Sequence, residues 1–218
     1  MDRSSDPLVT DAAGLLDELE RLASLDSTPI ADLLRRAAIL ASRLDFAPFK
    51  AWVSNELNGY PDVIALPGYR RDIGGRLMVQ LIGPFGHRMT NVPVPLSQVP
   101  DEFRQRFTKF DFVHGVAEIR RMVDHAAARD QGALKFQVPQ ELGDLISIYD
   151  GYSTVSIWSE VSVHSVADIL EQVRNRTLMF ALGIHEINPR AGNLSASDPH
   201  QVSAQAAAGV FGRVFGSS

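Results

Sequence analysis

Glu56 is the residue whose type and position could support catalysis or ligand binding. Its segment, residues 46–60, reads FAPFKAWVSNELNGY, and helical spacing puts the carboxylate near the middle of an apolar face. A carboxylate that points into a core is costly unless a base pairs with it. The next basic residues after it in sequence are Arg70 and Arg71, beyond two proline turns. Glu56 is therefore either a catalytic or ligand-binding acid or half of a structural ion pair, and the ion pair is favoured because structural pairs also perturb pKa values.

Further arginines extend the candidate site. Arg174 and Arg176 border the apolar stripe of the last predicted helix, where they could aim their guanidinium groups at carboxylates. Arg76 and Arg88 fall with the first two arginines in a predicted β region. An anion-binding face for a nucleotide or nucleic acid is one interpretation, and a solvated sheet face is the other. The candidate binding residues are Glu56, Arg70, Arg71, Arg174 and Arg176.

Other catalytic patterns are absent from the sequence. There is no cysteine, which excludes disulfides and thiolate chemistry. The six histidines are scattered, and no glycine-rich phosphate loop or nucleophile elbow is present. We therefore predict no catalytic residue, no metal site and no cofactor, and a role that is not enzymatic.

The composition is that of a soluble globular protein. The net charge of −5 disfavours broad binding to nucleic acid, which needs a positive field. No stretch is long and apolar enough for a transmembrane helix, and the first residues lack the apolar core of a signal peptide. We expect a cytoplasmic protein.

The hydrophobic periodicity predicts an α+β domain over residues 1–189, with N-terminal helices, a small antiparallel sheet and a long C-terminal helix. Asp111 is predicted to cap the helix that follows it, and Thr28 to cap a helix whose first residue is Pro29. Helices are predicted over Pro7 to Leu25, from Pro29 to Leu44, from Ala47 to Asn58, over Asp101 to Phe107, after Asp111, over Pro139 to Ile148, and from Ser165 to Asn188. Strands are predicted over Ile73 to Ile82, His87 to Leu96, Ala133 to Val138, and Tyr152 to Val163, the second of these at a sheet edge because of its prolines.

Residues 190–218 change in composition to Ala, Gly and Ser, and we predict a flexible tail. Within it, residues 205–216 carry two Val-Phe pairs that form a candidate association segment. Its residues are Val210, Phe211, Val214 and Phe215. A disordered terminus is the alternative.

Several separated motifs occur in order along the chain. They are Phe49 to Trp52, Glu56 to Tyr60, Leu66 to Arg70, Asn91 to Leu96, Gly115 to Ile119, Val173 to Leu182, and Glu186 to Pro189. Together they resemble the AbiTii N-terminal domain family of bacterial abortive-infection proteins, and the resemblance covers roughly residues 28–189.

The resemblance implies a role in antiviral defence against phage, and it implies no catalytic residues. Two functions follow as the main hypotheses, ahead of a membrane-directed toxin that would use residues 205–216. The leading one is a non-enzymatic interaction module that self-associates as a homo-oligomer or pairs with a partner defence protein. The alternative is a sensor or enzyme for nucleotides or nucleic acid, with its site at Glu56 and the arginines.

Overall fold

Eight α-helices and five β-strands form residues 14–216, the part of the chain that the computed structural model describes. The helices are α1 (Leu15–Ala23), α2 (Ile30–Leu44), α3 (Ala47–Asn58), α4 (Asp101–Thr108), α5 (Val116–Ala128), α6 (Gln140–Leu145), α7 (Val163–Ile187) and α8 (Ala204–Phe215). The strands are β1 (Ile73–Ile82), β2 (Arg88–Pro93), β3 (Lys109–Phe110), β4 (Ala133–Gln137) and β5 (Ser153–Ser162). The predicted α+β class, with its antiparallel sheet and long C-terminal helix, is confirmed.

Two predicted helix starts are wrong in detail. Pro29 is the N-cap of α2 rather than its first residue, and no side chain caps that helix. Asp111 does not cap α5, whose N-cap is Gly115. The Asp111 carboxylate instead accepts a hydrogen bond from the backbone N–H of Asp72, at 2.9 Å. The first seven residues of the first predicted helix, 7–13, lie outside the described residues.

The chain divides into two compact units. Unit 1 contains the described residues 14–53 and 174–216, and unit 2 contains residues 54–173. The boundaries fall within α3 and within α7. Each unit is defined by the contacts among its own residues.

Unit 1 is helical. The buried faces of α1 and α2 supply most of its aliphatic core, including Leu16, Leu19, Leu33 and Leu34. The segment after α7 returns to the first helices, since the Asn193 side chain accepts a hydrogen bond from the backbone N–H of Leu15, at 3.3 Å. Predicted periodicity and observed burial agree here because each helix buries one stripe.

Unit 2 contains the sheet, in the strand order β2-β1-β5-β4, and all these neighbours are antiparallel. Strand β3 pairs with the beginning of β1. One sheet face is buried in an apolar cluster with α6 and the loop after β2. Its central residues are Leu77, Val79, Leu81, Ile157, Leu142 and Ile146. Strand β2 lies at an edge of the sheet and ends at Pro93, as its prolines predict.

Within residues 14–216, no helix combines the length and the apolar character that crossing a bilayer requires.

Candidate functional site

Glu56 lies near the end of α3, where the chain makes a close turn in unit 2. Gly59 follows the helix with a φ of +96°, a left-handed conformation that favours glycine. The next residue, Tyr60, donates its backbone N–H to the carbonyl of Val113 at 2.7 Å. A Cβ on Gly115 would lie 2.5 Å from the Leu57 carbonyl oxygen, so the two backbones approach as closely as glycine allows. This approach places Glu56 beside the segment that precedes α5.

The Glu56 carboxylate accepts four hydrogen bonds from three side chains. Arg70 donates from Nε to Oε1 at 3.1 Å and from Nη2 to Oε2 at 2.5 Å. The hydroxyls of Tyr60 and Tyr69 each donate to Oε1 at 2.6 Å. The Arg70 geometry is the bidentate form that makes an arginine–carboxylate pair strong.

Arg70 is held from its other side by backbone carbonyls. Its Nη1 donates to the oxygens of Phe112, at 3.0 Å, and His114, at 2.9 Å. Its own carbonyl accepts a hydrogen bond from the Phe112 N–H at 3.0 Å. The guanidinium therefore fastens the α3 turn to the segment that leads into α5. We call Glu56, Tyr60, Tyr69 and Arg70 the clasp.

The clasp is enclosed and charged. The side chains of Glu56 and Arg70 both have 0% exposure to solvent. Burial works against the charge of Arg70, but the Glu56 carboxylate outweighs it and raises the pKa of the guanidinium above its usual value. Burial, and then the negative charge of Glu56, also raises the pKa of the Tyr60 hydroxyl. Both pKa shifts favour the protonated donors that Glu56 needs.

This geometry can stabilise a fold, but it leaves little room for chemistry. Donors from the protein bond both oxygens of Glu56, three to Oε1 and one to Oε2, so the carboxylate is not poised to take a proton from a substrate. A surface depression of about 540 Å³ lies nearby; Tyr60 of the clasp lines it, but Glu56, Tyr69 and Arg70 do not. Removal of one partner from a buried pair typically destabilises a protein by about 3–5 kcal/mol.

The other arginines of the predicted site have separate roles. Arg71 is exposed and donates to the backbone carbonyl of Ile64. Arg174, in unit 1, donates to the carbonyls of Leu25 at 2.9 Å and Thr28 at 2.8 Å, and so holds the turn between α1 and α2. Arg176 also belongs to unit 1 and is half-buried. Of the five predicted binding residues, the structure joins Glu56 to Arg70.

The arginines of the predicted anion face are also dispersed. Arg70 is buried in the clasp, Arg76 forms an ion pair with Glu160 at 3.2 Å, and Arg88 is exposed on β2.

Sequence reasoning missed the two tyrosines of the clasp. Tyr60 is four residues after Glu56, a separation that resembles one helical turn, although the chain has already left the helix at Gly59. Tyr69 directly precedes Arg70 in the L-P-G-Y-R motif. A buried carboxylate needs several donors, and that requirement could have pointed to both hydroxyls.

One group of possible metal ligands occurs among residues 14–216. Ligand atoms of Asp17, Glu20 and His185 lie within 4.8 Å of one another. The His185 Nδ1 is 2.6 Å from Glu20, which is the geometry of a direct hydrogen bond or ion pair. Acids and histidines gather in this way on many surfaces without a metal, so we assign no metal to them.

The predicted association segment forms helix α8. Ser203 caps it by accepting a hydrogen bond from the Ala206 N–H at 3.2 Å. Val210 is buried and would contact a Cβ at Gly183 of α7, while Phe211, Val214 and Phe215 are half-buried.

The two phenylalanines of α8 join an aromatic cluster in unit 1. Phe211 stacks on Phe215 with ring centroids 4.3 Å apart, and Phe215 lies 4.7 Å from the Trp52 ring. Phe49 and Phe180 stack at 3.9 Å within the same cluster. Residues 204–215 thus pack against the same unit that contains the first helices.

Comparison with protein families finds a match to the chain. The model of the family described as AbiTii matches residues 14–208, which is most of the chain. Comparisons with curated proteins and with solved structures give no significant match.

Proposed function

Because this chain belongs to the AbiTii family, whose members are abortive-infection proteins of phage defence, we propose that it is a non-enzymatic interaction module of such a system. In this proposal the module self-associates or pairs with a partner defence protein. The fold supplies the scaffold, and its surface supplies the contacts.

The enclosed state of Glu56 is the observation that carries the proposal. It is the acid that the sequence marks as the best candidate for chemistry, and it has 0% exposure with four donors around it. An acid in this state supports the turn and the segment before α5. In this proposal the motifs around Glu56 supply the contacts that hold the α3 turn against the segment before α5.

The α7–α8 pair offers the surface for association. On α7, Met179 is 56% exposed and Leu182 is 37% exposed. On α8, Phe211, Val214 and Phe215 keep part of their surface in solvent, while Val210 points inward. Exposed apolar side chains on packed helices are typical of surfaces that meet a partner.

The mass in solution tests self-association. We expect analytical ultracentrifugation of the chain to give a mass above that of the monomer and to show a concentration-dependent equilibrium. Met179→Glu should shift that equilibrium toward the monomer by about tenfold or more, because a carboxylate would be desolvated in the interface. Leu145→Glu, at a 63% exposed position in unit 2, is the matched control and should leave the mass unchanged.

A monomer at every concentration would contradict self-association. Pull-down with the other proteins of the same defence system, with the same two variants, then tests the partner form of the proposal. Equal retention of wild type, Met179→Glu and Leu145→Glu would contradict the assignment of this surface.

A sensor or enzyme that uses Glu56 and the arginines receives less support. Its acid is buried, and its five residues have different partners or belong to different units. The net charge of −5 also disfavours general binding to nucleic acid.

A further inference from the structure

Three charged residues form a row across the exposed face of the sheet in unit 2. Arg76 on β1 is opposite Glu160 on β5, and Glu160 is opposite Lys135 on β4. Side chains alternate along a strand, so this row lies on the face opposite to Leu77 and its apolar cluster. The two cations therefore flank one carboxylate.

Glu160 is the buried centre of the row, with a side chain that is 9% exposed. Its Oε1 accepts a hydrogen bond from the Trp158 indole at 2.9 Å, and its Oε2 accepts one from Arg76 Nη2 at 3.2 Å. The Lys135 Nζ lies 3.6 Å from Oε1. Burial on its own would raise the pKa of Glu160, but the Trp158 and Arg76 hydrogen bonds and the charge of Lys135 outweigh it and lower that pKa below its ordinary value. The carboxylate stays charged and orients both cations.

The two cations face solvent, unlike the carboxylate between them. The Arg76 side chain is 67% exposed and the Lys135 side chain is 53% exposed. Glu160 engages one nitrogen of Arg76, and a guanidinium carries five N–H donors in a fixed plane. The row has a net charge of +1, and its outward groups are donors.

A cleft of about 820 Å³ opens over this row. It extends from β2 across β1 and β5 to β4 and the turn before β4. Besides Arg76, Lys135 and Glu160 between them, the lining residues include Asn91, Gln131 and Ser162, which have polar side chains. This volume is within the range of about 300–1,000 Å³ that small-molecule sites occupy.

We propose that the cleft binds a small phosphate ester, with the phosphate bridging Arg76 and Lys135. A phosphate offers oxygens to both cations at once, and the planar guanidinium matches it in bidentate fashion. The amide and hydroxyl groups of Asn91, Gln131 and Ser162 then face the remainder of the molecule. The chain as a whole is negative, so the local row attracts a compact anion rather than a long polyanion. This site is separate from the clasp and from the α7–α8 surface, and it goes beyond the proposed function.

Isothermal titration of the full chain at low salt tests the site, with inorganic phosphate and adenosine monophosphate as separate probes. Arg76→Gln and Lys135→Gln should each weaken binding by about tenfold or more, because each removes a charge-assisted hydrogen bond. Arg88→Gln removes the same charge from an exposed position of the sheet outside the cleft, so its affinity should equal that of the wild type.

Comparing the affinities of the two probes distinguishes a phosphate ester from the phosphate group alone as the ligand. Tighter binding of adenosine monophosphate supports an ester with contacts along the cleft. Equal binding of both probes, with the same losses in Arg76→Gln and Lys135→Gln, supports a site for the phosphate group alone.

Two outcomes would overturn the proposal. One is no binding of either probe at concentrations up to about 5 mM, a limit far weaker than a built phosphate site should give. The other is binding that Arg76→Gln and Lys135→Gln leave unchanged or that Arg88→Gln weakens equally. Thermal unfolding of each variant confirms that it is folded, and both substituted side chains are mostly exposed. The mass measurements on Met179→Glu are independent of this result.

Discussion

At the scale of single residues, buried charges in this protein are retained where donors surround them. Glu56 has Arg70, Tyr60 and Tyr69, and Glu160 has Trp158, Arg76 and Lys135. The two acids differ in what lies beyond those donors. The donors of Glu56 are themselves buried or half-buried, whereas two donors of Glu160 extend into solvent. The first arrangement fastens the fold, and the second leaves cations available to a ligand.

The contribution of the Glu160 carboxylate to the free energy of unfolding should depend on pH. Its folded pKa lies below its ordinary value of 4.5, so its contribution is present above the unfolded pKa and is lost as the pH falls through the folded pKa. At pH 7, Glu160→Gln should lower the free energy of unfolding by about 1–2 kcal/mol. Urea unfolding from about pH 7 to about pH 3 should show this difference shrinking below about pH 4.5.

Glu141→Gln is the control, at an exposed position of α6. It should leave the free energy of unfolding within about 0.5 kcal/mol of the wild type throughout. A Glu160→Gln difference that stays constant down to pH 3 would mean that the carboxylate is not the titrating group.

At the scale of elements, α7 and α8 meet at a position where only glycine fits. A Cβ on Gly183 would lie 2.6 Å from a methyl carbon of Val210. Val210 is 1% exposed, so it has little room to move away. Gly209, the residue before Val210, has no atom within 4 Å of the position that a Cβ would occupy.

Alanine substitutions at these two glycines should therefore have opposite effects. Gly183→Ala overpacks the contact and should destabilise the chain by about 1–3 kcal/mol. Gly209→Ala raises helix propensity in open space and should stabilise it by about 0.5–1 kcal/mol. Thermal or urea unfolding of both variants measures the two effects.

Adding Val210→Ala to Gly183→Ala makes room for the new methyl group and should recover part of the loss. Equal effects of Gly183→Ala and Gly209→Ala would contradict the packing of α8 on α7.

The sequence predicted elements better than it predicted their contacts. Helix α2 and strands β1 and β5 carry clear periodicity or runs of β-forming residues, and their bounds agree with prediction to within one or two residues. Strand β3 was not predicted, because two residues leave no periodic signal. Asp111 resembles a helix cap locally, yet its partner is the backbone N–H of Asp72, 39 positions away.

The candidate sites depend on the same long-range information. Glu56 required a base, but only the fold selects Arg70 rather than Arg71 and adds the two tyrosines. Arg76 and Glu160 are 84 positions apart, and strand register alone brings them together. Sequence reasoning could therefore find the residues that need partners, but not the partners themselves.

At the scale of the whole molecule, AbiTii membership and the clasp support one account. The segments from Glu56 to Tyr60 and from Leu66 to Arg70, which carry the sequence resemblance and lie within the matched residues, coincide with the contacts that fasten the end of α3. In that account the motifs preserve a fold that a defence system uses for contacts. Loss of the clasp should then reduce defence only as far as it reduces the folded population.

The most direct measurement follows phage plating efficiency and thermal unfolding together for Glu56→Gln and the exposed control Glu118→Gln. The account predicts that Glu56→Gln lowers stability by about 3–5 kcal/mol and that defence falls with the folded fraction and returns at lower temperature. Glu118→Gln should match the wild type in both. A Glu56→Gln protein that unfolds at the wild-type temperature but gives no defence would contradict the account, because Glu56 would then act in function rather than in the fold.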